Sequence, residues 1–259
     1  MAITFAVMQN IVIIGAGNLA WHLVAVLQNI GKQVALVSRR PATVADWPVP
    51  VYTLAEIPFT PDLIFLAVPD NAIELVSTNL SYSFPDRIPV IHTSGATSVQ
   101  TIDPYFKQRG AFWPIRSLRQ GEPVGDWQDL PLVYHANNAA LTQVLGKLSD
   151  ELSNSTYALD DEQRARLHLA AVFSNNFVTW LYQISHELCT EQNIPFATLL
   201  PIIKNTALKQ DGTAPRLTQT GAAARGDTST ISRHLDLLDG HPEYTRLYQF
   251  MSNLIREGT

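Results

Sequence analysis

The sequence predicts an α/β half built on a parallel sheet, followed by an all-α half. Three observations carry this reading. In the first half, short β-branched runs alternate with helical patterns, which implies βαβ units. Ile11–Ile14 and Leu63–Val68 are apolar throughout, as in strands covered on both faces. From Asp160 onward strand patterns nearly vanish. The chain has 259 residues, 46% hydrophobic and 16% charged, which is enough for two modest domains and too apolar for disorder.

The elements follow in order. Ile11–Ile14 reads as a buried strand. A helix follows over Asn18–Asn29, with Leu19, Leu23, Val26 and Leu27 at helical spacing and Gly31 as its stop. Gln33–Val37 is a second strand. Leu63–Val68 is another, stopped by Pro69, and Asn71–Leu80 is helical. Ile88–His92 is a strand that runs into the turn-rich Thr93–Ser98. Phe112–Ile115 and Leu130–His135 are further strands, and Ala139–Leu152 is a helix. Asp160 with Gln163 forms a capping box that opens a helix running to about Gln192. Pro195 suits the first turn of the next helix, and Pro201 should kink it. Gly212–Arg225 reads as a loop or broken helix. Asp227 caps a helix through Leu238, and Pro242 opens the last one, ending near Arg256. The domain boundary is placed at 156/157, giving residues 1–156 and 157–259.

Composition excludes several function classes. A net charge of −5 argues against a nucleic-acid surface. The single cysteine, Cys189, permits neither an internal disulfide nor a thiolate metal cluster, and a cytoplasmic location is the default. No metal is expected, because the seven histidines show no ligand spacing with carboxylates. Ile3–Ile30 lacks charged residues, but Gln9, Asn10, Asn18, His22 and the Gly15–Gly17 break fit a strand, turn and buried helix better than a membrane span.

Gly15-Ala16-Gly17-Asn18-Leu19-Ala20 reads G-x-G-x-x-A, directly after an apolar strand and opening a helix. Gly15 permits the tight turn, Gly17 lets backbone approach a pyrophosphate, and Ala20 allows close helix–strand packing. The helix start offers free N–H groups and the positive end of its dipole. At the end of the second strand, an NAD site would usually carry Asp or Glu for the ribose 2′-OH. Here stand Ser38, Arg39 and Arg40, which suit a 2′-phosphate. The expected cofactor is therefore NADP(H). Ala67, Val68 and Pro69 end one strand beside the expected ribose. His92, Ser94 and Gly95 end another, beside the expected nicotinamide, with Ser94 and Gly95 also facing substrate. A packed strand-end histidine is an equally open reading of His92.

On the long helix, His168, Asn175, Thr179, Tyr182 and His186 recur on one polar stripe. His168 is a candidate general acid or substrate ligand, with Asn175 and Asn176 orienting the substrate; an interface histidine is the structural alternative. Thr220, Gly221 and Arg225 form a polar segment in which Arg225 could hold a substrate carboxylate, or instead an ion pair within the loop. Phe173, Phe177 and Trp180 suit a core or subunit interface. The helical half carries more apolar faces than one chain covers, which implies a C2 homodimer through these helices.

The strings GAGNLA, SRR, LAVPD and HTSGA together resemble the Rossmann domains of the 6-phosphogluconate-dehydrogenase-like superfamily. That group includes pyrroline-5-carboxylate reductase and the deazaflavin-dependent NADP oxidoreductases. The stretches Arg166–Phe177 and Gln219–Asp227, with His234 beyond, resemble a helical domain of unknown function that accompanies such Rossmann domains. The resemblance implies a Rossmann-type domain followed by a helical substrate or dimerisation domain. It also implies an NADP-dependent oxidoreductase of generally unassigned substrate, and the expected reaction is hydride transfer between nicotinamide and a small carbonyl or imine compound in the interdomain cleft. One departure stands out. The 3-hydroxyacid dehydrogenases of the superfamily place Lys one turn before Asn, where this chain has Ala171 and Val172. A second class of function, a non-catalytic NADP(H) sensor, therefore stays open.

Overall fold

The computed structural model describes residues 8–39, 47, 49–210 and 212–258. These form two compact units that divide between Ser174 and Asn175. Among the described residues no helix is long and apolar enough to cross a membrane.

The first unit is an eight-stranded sheet in the order β3-β2-β1-β4-β5-β6-β7-β8. Its strands are β1 (Asn10–Ile14), β2 (Gln33–Val37), β3 (Val51–Tyr52), β4 (Leu63–Leu66), β5 (Val90–His92), β6 (Arg109–Pro114), β7 (Leu132–Ala136) and β8 (Thr156–Ala158). Pairing is parallel except between β6 and β7. The exception has a simple cause. No crossover helix separates Pro114 from Leu132, and a parallel return requires one. The edge strands β3 and β8 have two and three residues, too few for an alternation or an apolar run to announce them.

Helices cover both faces of this sheet. Helix α1 (Asn18–Asn29) and α3 (Ala139–Leu152) have the predicted limits. Helix α2 (Ile73–Ser81) begins later than predicted, because Asp70–Ala72 forms a 3-10 turn after Pro69. One apolar cluster joins Ile11, Ile13 and Phe65 to Leu23, Leu27, Leu145 and Leu148. The other joins Val12, Ala35, Ile64 and Leu66 to Ile73, Leu80 and Phe106. Leu63–Leu66 is buried at every position, as an inner strand packed on both faces must be.

Helix α4 (Asp161–Ala171) starts at the predicted capping box, with Asp160 accepting from the Gln163 amide at 2.9 Å and Gln163 accepting from the Asp160 amide at 3.0 Å. Residues Val172–Phe177 follow as a π-helical segment and lead into α5 (Val178–Glu191). The wider π turn carries the later residues out of the α-helical phase. The helix predicted to run unbroken to about Gln192 is therefore interrupted. The division between units falls inside this π segment rather than at 156/157, because α4 is tied by hydrogen bonds to the loop after β5.

The second unit contains α5, α6 (Leu200–Leu208), α7 (Thr228–Leu237) and α8 (Pro242–Gly258). Pro201 does not kink a helix. It sits in the first turn of α6, after a 3-10 turn over Phe196–Leu199, where its missing N–H leaves no hydrogen bond unmade. Asp227 caps α7 as predicted, accepting from the Thr230 amide at 3.0 Å. Helix α5 holds no buried residue within the single chain.

Candidate functional site

The carboxyl ends of β1, β2 and β4 are drawn together by backbone bonds that run past the strands. Gly15 N–H donates to the Val37 carbonyl at 2.9 Å, and Ala67 N–H donates to the Ile14 carbonyl at 2.9 Å. Above them opens a cleft of about 900 Å³, lined by Gly15, Ala16, Gly17, Ser38, Arg39, Ala67, Val68 and Pro69 together with residues of the facing loops. An open α/β sheet binds its ligands at this position.

Gly15 adopts φ +111°, and a Cβ there would collide with the Ala67 carbonyl. The turn thus brings β1 against β4 in a way only glycine allows. A Cβ built on Gly17 would meet nothing, so this backbone faces open space. Gly17 is also the N-cap of α1, with no side chain capping the helix and no acidic residue in its first turn. The free N–H groups and the dipole end therefore meet the cleft unneutralised. Among the described lining residues Arg39 is the cation and no carboxylate is present. These features fit a dinucleotide bearing an additional phosphate. Arg40 lies outside the described residues. The Asn18 side chain accepts from the amide of Gln120, a residue of the cleft lining, at 3.2 Å, and Leu19 packs on the core.

His92 and Ser94 do not line this cleft. His92, at the end of β5, is fully buried. Its Nδ1 accepts from the Ser94 amide at 3.2 Å, so the neutral ring carries its proton on Nε2. Burial first, then the Arg164 charge, push its pKa down to about 4. Such a ring is neutral near pH 7 and braces the loop rather than donating a charge. The Ser94 hydroxyl donates to Asp70 at 2.7 Å and accepts from the amides of Ala96 and Thr97. Gly95 is pinned from above: a Cβ there would lie 2.5 Å from His168 and 2.7 Å from Trp113. The His168 and Trp113 rings contact each other at 5.4 Å between centroids. The structure therefore brings His168 against the Ser94–Gly95 turn within the first unit.

Asn175 and Asn176 lie on the π segment and are exposed. A π bulge is a frequent feature of functional sites. Thr220, Gly221 and Arg225 lie in the second unit, and Arg225 stands 4.0 Å from Asp227 with two thirds of its side chain exposed.

Sequence reasoning missed Trp113, which lies on a strand whose apolar composition hides a half-buried ring. It also missed Thr53, Leu54 and Gln120 of the cleft, because the elements that carry them are too short or irregular to read. Asp161 and Arg164 at i, i+3 have the spacing of an ordinary solvated pair, yet Arg164 is fully buried.

Residues 130–255 match a Domain of unknown function, DUF2520. No curated protein matches the chain. Among solved structures, a candidate NADP oxidoreductase from Bacteroides fragilis is 31% identical, with a TM-score of 0.88 over 96% of this chain and 98% of that one. An imine reductase from Myxococcus stipitatus in complex with NADP+ has a TM-score of 0.68 at 18% identity, over 96% of this chain and 93% of that one. A pyrroline-5-carboxylate reductase from Coxiella burnetii has a TM-score of 0.56 at 13% identity, over 97% and 99%. The last two likenesses concern the fold.

Proposed function

The chain belongs to the family of the Bacteroides fragilis NADP oxidoreductase candidate, and from that premise we propose that it is an NADP(H)-dependent oxidoreductase acting on a small carbonyl or imine compound. One observation carries the reading. The cleft at the carboxyl ends of β1, β2 and β4 joins a glycine turn and an uncapped helix start to Ser38 and Arg39, with no carboxylate among its described lining residues. The glycine turn holds a diphosphate through backbone N–H groups. Arg39 and Ser38 hold the 2′-phosphate by charge-assisted hydrogen bonds, with Arg40 assigned the same role.

When bound, the nicotinamide supplies or accepts a hydride. The residues of this chain bind, orient and move the proton. Ser94 and Gly95 form one wall for the substrate. His168, half-buried over Gly95, is the proposed proton donor or substrate ligand. Asn175 and Asn176, on the π segment that follows, are its proposed orienting partners. Thr220, Gly221 and Arg225 are assigned to substrate binding, with Arg225 available to a carboxylate. Reduction of an imine requires no lysine at Ala171 or Val172.

The helical unit is further proposed to form a homodimer. Phe177, Trp180, Ile202, Leu217 and Phe250 are each at least half exposed in the single chain. Apolar surface on this scale marks an interface.

Calorimetry with NADPH and NADH tests the cofactor assignment, and NADPH should bind more tightly by about tenfold or more. Equal or tighter NADH binding overturns it. Substrate-dependent NADPH oxidation across ketoacids, cyclic imines and aldehydes tests the reaction. Tight NADPH binding with no turnover in such a screen would move the reading to a sensor.

A further inference from the structure

Arg164 is the one buried residue of α4. A guanidinium removed from water must be matched by hydrogen bonds and opposite charge. Both partners bear on one loop. Its Nη2 donates to the Thr97 carbonyl and, at 2.9 Å, to Asp161. Asp161 in turn accepts from the Ser98 hydroxyl and, at 3.1 Å, from the Val99 amide. Burial works against this carboxylate, but the Ser98 hydroxyl and Arg164 outweigh it and hold the Asp161 pKa below the usual range. Three successive loop residues, Thr97, Ser98 and Val99, are thus fastened by one ion pair on α4.

The same helix supplies His168, four residues after Arg164 and so on the same face one turn along. His168 presses on Gly95 of the same loop. Arg164 and His168 therefore grip the loop at two points, His168 at Gly95 and Arg164 at Thr97–Val99, while His92 braces the Ser94 amide.

We propose that Arg164 is a positioning residue, which through the Thr97 carbonyl and Asp161 sets the distance and orientation between His168 and the Ser94–Gly95 wall. This rests on the reading that His168, Ser94 and Gly95 border the substrate. Arg164 also acts on His92. Its charge opposes protonation of the buried ring and so keeps Nδ1 an acceptor for the Ser94 amide. The other groups facing His92, namely Asp161, Asp70 and the Ser98 backbone, favour the protonated ring.

The test uses Arg164→Gln and Arg164→Lys in the full chain, with amide exchange, histidine NMR titration and NADPH calorimetry. In Arg164→Gln the amides of Ala96, Thr97 and Val99 should exchange about tenfold faster. His92 should titrate at higher pH, and NADPH affinity should stay within about twofold, since Arg164 is absent from the nucleotide cleft. Arg164→Lys keeps the charge but not the planar fork. It should restore the low His92 titration while recovering amide protection only in part. Unchanged loop exchange and His92 titration in a folded Arg164→Gln protein would overturn the proposal. Equal acceleration at the β1 and β4 amides would overturn it too, as a general loss of stability. Should Arg164→Gln not fold, Asp161→Asn decides. Val99 protection should fall while β1 and β4 amides stay protected, and an unchanged Val99 overturns the proposal. Failure of wild-type protein to bind NADPH would sink the cofactor reading alone, because loop exchange is measured without nucleotide.

Discussion

In residues 8–174 apolar side chains close on one another: Ile11, Leu23, Leu63, Phe65 and Phe112 have no exposed surface. In residues 175–258 only Ala223 and Leu238 are buried hydrophobics among the described residues, while Trp180, Ile202, Leu217 and Phe250 stand more than half exposed. The second region is less apolar than the first, but it leaves its large apolar side chains in water, and only the first builds a core from its own chain. A sheet with helices on both faces encloses its strands. Helices need a partner for every apolar stripe. Each Leu, Ile or Phe left in water forgoes about 1.5–3 kcal/mol that burial would contribute. The comparison therefore predicts that the Rossmann unit carries its own stability and the helical unit borrows it from a second subunit.

The largest effect should come from breaking that dependence. Replacing Trp180 and Phe250 together by Asp should turn the proposed dimer into a monomer in sedimentation velocity and melt α5–α8 by circular dichroism, while leaving the β1 and β4 amides protected. A wild-type chain that sediments as a monomer with a stable helical unit would break the comparison outright.

Next in size is a change inside the self-sufficient unit. Gly15→Val introduces a β-branched residue at φ +111° and a collision with the Ala67 carbonyl. Backbone strain of this kind costs about 1–3 kcal/mol before the collision is counted. Thermal unfolding should show the loss of stability, and calorimetry should show no NADPH binding.

A pH effect of about 3 kcal/mol at most should follow from His92. Its folded pKa lies near 4, below the unfolded value of 6.5. Its contribution is therefore fully present above pH 6.5 and declines as pH falls from there toward 4. Urea unfolding across that range should show the slope in wild type and a reduced slope in His92→Gln. A slope unchanged by the substitution assigns the loss to other groups.

The smallest effect sharpens the comparison at the cleft. Arg39→Ala should weaken NADPH by about 1.5–3 kcal/mol, the range for a hydrogen bond to a charged group, and change NADH by less than about twofold. Equal loss of both would place Arg39 elsewhere than at the 2′-phosphate.

Much of the nucleotide cleft was legible because its parts are local. A strand, a glycine turn and a helix start occupy Asn10–Asn29 without interruption, and Ser38 and Arg39 follow the next strand directly. Their roles depend on backbone geometry that nearby residues impose. The wall around Gly95 was legible only in part. Ser94 stood out at a strand end and His168 on the polar stripe of the long helix, but Trp113 looked like any strand residue. Arg164 looked like one of several charges on a polar helix. Nothing within four residues of it shows that Thr97 would meet it. Pro201 was misread for a related reason, since a proline is compatible with a kink or a start and the 3-10 turn before it decides between them.

By its order of residues alone, the chain settles where strands and helices alternate, where the glycine turn lies, and that positive groups rather than a carboxylate follow the second strand. Periodicity and turn chemistry act over a few residues, so they survive reading in one dimension. The folded molecule alone decides that β7 runs against β6, that α4 interrupts itself with a π turn, and that a buried guanidinium fastens the loop beside His168. Those outcomes depend on contacts between residues far apart in the chain, whose free energy exists only once the chain has closed on itself.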